Sequence, residues 1–271
     1  MIALIDGDVL CYHACRSRFA KTKTIENEVS IVRLDSTTGK RLEVEYTQEE
    51  DQQYLMDSWD GFKLQLQEIL DSLFTKNYLM AVKSPTNFRD DMYPEYKKQR
   101  KDSSTPNIFV PVLRELAVRE GLAIAAHGRE ADDLLRIWAM QAKEAGDPYA
   151  ICSIDKDLKC IPGKFFNMKT KTLEDISYED AKRHYYEQLL KGDPTDNIPG
   201  ILGVGNVKAT KMLAHCQNTN DFQEAVVDAY MQAYGDGWAD MLLSNGKMIH
   251  LQKTPDDYFN FREWAVVQEF R

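Results

Sequence analysis

The chain has 271 residues, 43% of them hydrophobic and 28% charged, the mixture of an ordinary globular protein able to bury its own core. A formal net charge of −9 excludes strong non-specific attraction to nucleic acid through overall charge, so any phosphate contact has to be local. No segment approaches the ~20 apolar residues of a membrane span, and the start, MIALIDGD, lacks the basic residues and long apolar run of a secretory signal. A cytoplasmic protein with no membrane partner is expected.

Residues 2–5 form a short apolar run that predicts a buried strand with Asp6 at its carboxyl edge. Cys11 and Cys15 lie one helical turn apart and read as packing residues. The five cysteines include no CxxC pair, which fits reduced thiols rather than a zinc or disulfide framework. Residues 28–46 have two β-rich halves around Ser36-Thr37-Thr38-Gly39, the pattern of a hairpin. Thr47 and Glu50 have the spacing of a capping box. Behind it Leu55, Trp59, Phe62, Leu66, Leu70 and Leu73 give a long amphipathic helix.

Residues 78–82, 123–126 and 149–154 read as further strands, with helical patterns at 110–120 and 131–145. That alternation implies an α/β fold with a mainly parallel sheet flanked by helices. Ligand groups in such sheets collect at the carboxyl ends of the strands, where Asp6 and Asp155 fall. Residues 88–107 are polar, basic and aromatic, and read as a mobile arm over the core. From Lys83 to Lys101 the bases Lys83, Arg89, Lys97, Lys98, Arg100 and Lys101 face only Asp90, Asp91 and Glu95, a local basic stretch suited to phosphate contact. After about residue 178 the pattern turns helical. The expected organisation is a core over 1–177, with an arm at about 84–108, and a helical region over 178–271.

Four acidic groups recur with short spacing: Asp6 and Asp8; Glu130, Asp132 and Asp133; Asp155 and Asp157; Asp193 and Asp196. For any one group, a helix cap or a solvated surface is the better explanation. The set differs, because the sheet would carry separate segments to one edge, where like charges repel unless a cation neutralises them. Hard oxygen ligands favour Mg²⁺ or Mn²⁺ over zinc. Two such ions roughly 4 Å apart can activate water and stabilise a leaving oxygen in phosphoryl transfer. The stretch DPTDNIPGILGVGNVKA at 193–209 adds a Gly-Val-Gly turn whose backbone amides can approach a phosphate. A lone GxG is more often only a tight turn. Joined to two acids and a following helix, it looks like a DNA-backbone clamp at about 193–216.

Five motifs in order carry a resemblance: ALIDGD at 3–8, FRDDMYPEYKKQR at 88–100, GREADDLL at 128–135, SIDKDL at 153–158 and KGDPTDNIPGILGVGNVKA at 191–209. The chain resembles the bacterial and bacteriophage 5′-nuclease family, which includes flap endonucleases and the 5′-nuclease domain of DNA polymerase I. The resemblance implies a PIN-like core, a helical arch, and a helix-three-turn-helix that can hold K⁺ beside the DNA backbone. It also implies a stand-alone, phage-type replication or recombination nuclease, monomeric, acting on DNA with a 5′ end or flap, with an RNA–DNA hybrid as a further substrate. Beyond about residue 216 it gives nothing.

Carried over residue by residue, the resemblance gives Asp6, Glu130 and Asp132 to a first metal and Asp155, Asp157 and Asp193 to a second, with Asp133 and Asp196 as additional or outer ligands. Lys97 and Arg100 would meet the scissile phosphate and Tyr96 would stack on a terminal base. Arg89, Lys98, Gly203, Gly205 and Lys208 would complete the DNA contacts. One departure stands out. The family usually has another metal-site aspartate a few residues before the FR, where this chain has Val82 and no acid from 81 to 87. Asp8 would compensate, or the first metal would be held loosely. Two rivals are a HAD-like phosphatase, from Asp6-Gly7-Asp8 after the first strand, and a DNA-binding accessory factor without activity.

Overall fold

The computed structural model describes the backbone of residues 1–15, 21–25, 28–34, 41–44, 48–98 and 109–268, and the side chains of 1–15, 48–98 and 109–268. Six strands form the main sheet in the order β6-β5-β1-β7-β8-β9. They are β1 (Ile2–Asp6), β5 (Tyr78–Lys83), β6 (Ile124–Ala126), β7 (Tyr149–Ser153), β8 (Gly163–Asn167) and β9 (Thr172–Ile176). All neighbours pair in parallel except β8 with β9. The predicted sheet is therefore present and mainly parallel. The closing β8–β9 hairpin was not anticipated. Its tight turn is built by Asn167, whose Oδ1 accepts from the backbone of Lys169 and Thr170.

Strict alternation along the strands explains the two layers of helices. Ala3, Ile5, Met80, Val82, Ala150 and Cys152 face one core, which α1 (Gly7–Ala14), α2 (Gln48–Ser72) and α4 (Phe109–Arg119) cover. Leu4, Ala81, Ile151 and Phe165 face the other, under Ala131, Leu135 and Ala139 of α5 (Ala131–Ala145). Cys11 and Cys15 are buried in the first core, as their spacing implied. Gly7 is required where β1 turns into α1, since a Cβ there would lie 2.7 Å from the Met80 and Val82 side chains. The chain thus leaves β1 directly into a helix with Asp6 and Asp8 at the sheet edge.

The predicted hairpin exists as β3 (Glu28–Leu34) paired antiparallel with β4 (Arg41–Val44), and β2 (Lys21–Ile25) adds a third strand on the other side of β3. The turn at 36–39 and the Thr47 cap lie outside the described residues. In the arm, α3 (Phe88–Met92) is a short helix. Lys97 lies outside this helix, with a left-handed φ of 54°.

A third core gathers α6 (Tyr178–Lys191), α7 (Asn206–Met212), α8 (Thr219–Tyr234) and α9 (Trp238–Ile249). Much of it comes from beyond residue 216: Phe222, Val226, Tyr230, Leu242, Phe259 and Phe261 are all buried. Tyr186 stacks on Phe222 at 5.2 Å. The arm enters the same core through Tyr96, which is 2% exposed.

Candidate metal centre and active site

The parallel order places the carboxyl ends of β1, β5 and β7 side by side, with the N-terminus of α5 next to them. A cavity of about 380 Å³ opens there. Asp6 and Asp8 enter it from the β1–α1 turn, Glu130 and Asp132 from the start of α5, Asp155 and Asp157 from the end of β7, and Asp193 and Asp196 from the loop after α6. Four segments distant in sequence converge, as the acidic spacing implied.

The electrostatics are those of crowded carboxylates. Burial, then repulsion from Asp8 and Asp155, lifts Asp6 to about 7 in spite of a 2.7 Å hydrogen bond from Ser153 Oγ. Burial with Asp6, Glu130 and Asp155 raises Asp132 well above the usual carboxylate range. Asp157 rises to about 6 through burial and its neighbours Asp155 and Asp193. These groups share one need, a nearby positive charge, and their oxygen donors are those a hard divalent ion takes. Among the described residues no three Asp, Glu, His or Cys side chains are already grouped tightly enough to cage an ion. An open carboxylate-lined cavity fits an ion that keeps several of its waters.

Positive charge enters from the arm. Lys97 Nζ lies 2.5 Å from Glu130 Oε1 and 3.5 Å from Asp196 Oδ2. Burial works to raise Glu130, but Lys97 and then Arg89 outweigh it and hold its carboxyl below the ordinary value. The backbone N–H of Lys97 donates to the Asp196 carbonyl, and Asn197 Nδ2 donates to the Glu95 carbonyl. The base of the arm is thereby fixed to the loop that carries Asp193 and Asp196.

Three expected roles need correction. Asp133 does not face the cavity: its two oxygens accept four bonds, from Arg89 Nη1 and Nη2 and from the backbone N–H groups of Glu130 and Gln252. A carboxylate offers about four such acceptor sites, so none is left for an ion. Arg89 is fully buried in that pair and is no DNA contact. Tyr96 does not present its ring for stacking, being buried with its hydroxyl donating to Glu130 Oε2 at 2.9 Å. Lys98 is exposed and pairs with Glu95. Arg100 lies outside the described residues.

Val82, at the position of the absent aspartate, is buried in the first core. Asp8 lines the cavity, but its Oδ1 already accepts from Arg114 Nε at 2.7 Å and from the backbone of Lys83. It anchors α4 more than it replaces a ligand. Asp90, on α3, also lines the cavity and was not singled out from the sequence. Its signal was its place two residues after the phenylalanine of the arm motif.

At the glycine-rich turn, Gly192 and Gly200 pack backbone to backbone, and a Cβ on Gly192 would lie 2.2 Å from the Ile198 carbonyl oxygen. This closeness sets the loop that carries Asp193 and Asp196. Gly203, Gly205 and Lys208 lie on the exposed side of the same turn, with Gly203 in the left-handed region at φ 76°.

The family model described as the 5′-3′ exonuclease N-terminal resolvase-like domain matches residues 1–188. DNA polymerase I of Mycobacterium bovis is 32% identical over 170 residues, covering 56% of this chain and 18% of that protein. A 5′-3′ exonuclease of Aquifex aeolicus is 31% identical over 137 residues, 46% of this chain and 47% of the relative. The chain thus matches less than half the length of either relative. Among solved structures, the flap endonuclease of bacteriophage T5, in a pseudo-enzyme-product complex with DNA and metal ions, matches with a TM-score of 0.61 at 15% identity, covering 93% of this chain and 89% of that one. The T5 5′-exonuclease with zinc bound matches at 0.53 and 14% identity, over 92% of this chain and 99% of that one. At such identities the likeness is one of fold, and it agrees with the PIN-like α/β architecture.

Proposed function

Because this chain belongs to the 5′-3′ exonuclease family, whose N-terminal resolvase-like domain it matches over residues 1–188, we propose that it is a divalent-metal-dependent 5′-nuclease that hydrolyses phosphodiester bonds at the 5′ ends or flaps of duplex DNA. The observation that carries this reading is the convergence of carboxylates from four segments in one cavity, with Asp6 and Asp132 both driven towards protonation by burial and by neighbouring carboxylates. Such a set suits Mg²⁺ or Mn²⁺, in this reading two ions. Asp6, Glu130 and Asp132 would hold one, Asp155, Asp157 and Asp193 the other, with Asp196 as an outer ligand. Ions bound there supply Lewis-acid stabilisation of the reacting oxygens and a more acidic water.

The chain's own groups do the remaining work. Lys97, already at the cavity wall, is placed to exchange its carboxylate partners for a phosphate oxygen. Arg100 is a second candidate for that phosphate. Lys98, Gly203, Gly205 and Lys208 would contact the duplex backbone away from the cut, where K⁺ would also sit. An RNA–DNA hybrid is a further substrate in this reading, and the working unit is a monomer in the cytoplasm. No helix among the described residues is long and apolar enough to cross a membrane.

A 5′-labelled flap duplex incubated with Mg²⁺, beside an EDTA control and p-nitrophenyl phosphate, tests the proposal. Metal-dependent release of short 5′ products supports it. Hydrolysis of p-nitrophenyl phosphate alone would favour a phosphatase, and DNA binding without cleavage an accessory factor.

A further inference from the structure

We propose that Arg129 is a phosphate-binding residue of the cavity, gripping the substrate backbone beside the site of cleavage. It rests on the nuclease reading and gives a role to Arg129, a residue of the GREADDLL motif that the resemblance left without one. Four cationic side chains line the cavity: Lys83, Lys97, Arg114 and Arg129. Lys97 is occupied by Glu130 and Asp196, and Arg114 by Asp8. Arg129 has no carboxylate partner among the described residues. Its Nη2 reaches only the Pro255 carbonyl, at 3.5 Å, the outer limit of a hydrogen bond. Its Nη1 is shielded from solvent and has no hydrogen-bond partner.

A guanidinium N–H withdrawn from water and left unpaired is costly, and in native proteins such a group calls for an explanation. Here the surroundings supply one. Arg129 directly precedes Glu130, on a loop whose backbone is fixed. Gly128 N–H donates to Thr86 Oγ1, the Gly128 carbonyl accepts from Phe88, and Arg129 N–H donates to Ala126. The root of the side chain is therefore held at the wall of the carboxylate-lined cavity. The planar fork of arginine matches two phosphate oxygens at once, which makes it the suitable cation for this place. Lys97 approaches from the arm, and Arg129 from the β6–α5 loop, so the strand would be held from two separate segments.

The bland alternative is that Arg129 is a strut for the segment around Pro255. The two readings separate in the salt dependence of binding. We would measure affinity for a 5′-fluorescent flap duplex against KCl concentration, in Ca²⁺ in place of Mg²⁺, for wild type, R129Q and R129K, with thermal melting of each. The expected result is that R129Q loses affinity about five- to tenfold and that its salt slope falls by about one. R129K should keep the wild-type slope, and the single-turnover plateau of R129Q in Mg²⁺ should stay within about threefold, as for a contact made equally in ground and transition states. Wild-type affinity and slope in R129Q would overturn the proposal, as would equal melting losses in both variants with an unchanged slope. If wild type itself neither binds nor cuts the duplex, the nuclease reading fails and takes this inference with it.

Discussion

Arg89 and Asp133 hold each other in a two-pronged ion pair, at 2.6 and 2.9 Å, with neither side chain reaching solvent. The same guanidinium donates to the carbonyls of Met248 and His250, and the same carboxylate accepts from the backbone of Glu130 and Gln252. The pair therefore joins the start of the arm, the N-terminus of α5 and the segment after α9. The helix that carries Glu130 and Asp132 is fixed from behind by residues near the far end of the chain.

Removing one partner of such a pair leaves a buried charge without compensation. Arg89→Met should cost about 3–5 kcal/mol of stability. The double variant Arg89→Met/Asp133→Leu should recover part of the loss but not all, since the Glu130 and Gln252 amides would still lack their acceptor. Urea denaturation of the two single variants and the double one measures this. A loss below about 1 kcal/mol in Arg89→Met would show that the pair is not what holds the three segments.

Asp155→Asn tests the metal assignment. Asp155 sits at the end of β7 and lines the cavity with Asp157. Losing one charge should abolish cleavage while binding of the flap duplex in Ca²⁺ remains measurable, because the ions serve the chemistry more than the grip. Turnover near wild type in saturating Mg²⁺ would remove Asp155 from the ligand set.

Lys208 is exposed on α7, after the glycine-rich turn. Lys208→Ala should weaken duplex binding and make its salt dependence shallower by about one counterion, with the position of the cut unchanged. An unaltered slope would mean that Lys208 is only a solvated surface lysine.

Much of this site was legible because its signals are local. The apolar run before Asp6 and the acids at 155 and 157 announce strand ends. The helical pattern at 131–145 matches α5, which opens on the acidic Glu130-to-Asp133 stretch and closes on Gly146 in the left-handed conformation. What was not legible depends on distant partners. Arg89 and Tyr96 were expected at the DNA because the resemblance carried them over with the arm motif, and nothing local in that stretch announces their burial. Their burial comes from residues 248–252 and from the third core, built largely beyond residue 216. Asp133 was carried over as an additional or outer ligand in the same way, and only the fold shows that its oxygens are already taken.

The same C-terminal segment should have an acid-sensitive contact. Partial burial acts to raise Asp257, but hydrogen bonds from His250 Nε2, at 2.9 Å, and from the backbone of Lys253 bring it down to about 2. Burial lowers His250 as well, so the bond needs only a neutral imidazole with its proton on Nε2. A carboxylate whose folded value lies below its unfolded one, near 3.8, adds stability that is fully present above that value and lost as pH falls through about 2. The melting temperature of Asp257→Asn should therefore lie below wild type at pH 5, and the gap should close between about pH 4 and 2. A gap that persists unchanged to pH 2 would contradict the assignment.

Lys97 is the residue whose role the structure makes most testable. It lies between Glu130 and Asp196, its left-handed backbone is pinned by the Asp196 carbonyl, and its ammonium faces the cavity. A charge fixed there can meet the oxygens that become more negative as the phosphodiester breaks, so it stabilises the transition state more than the bound substrate. Lys97→Ala should slow single-turnover cleavage by about a hundredfold, while the Kd for the flap duplex rises only a few-fold. If Lys97 instead belonged to a general binding patch, affinity would fall and the rate at saturating enzyme would survive. Single-turnover rates across an enzyme titration separate the two. The slope and the plateau respond to different events: the approach to saturation reports the grip on the duplex, and the plateau reports the step at the phosphate. A normal plateau would leave Lys97 as a counter-ion of Glu130 and nothing more.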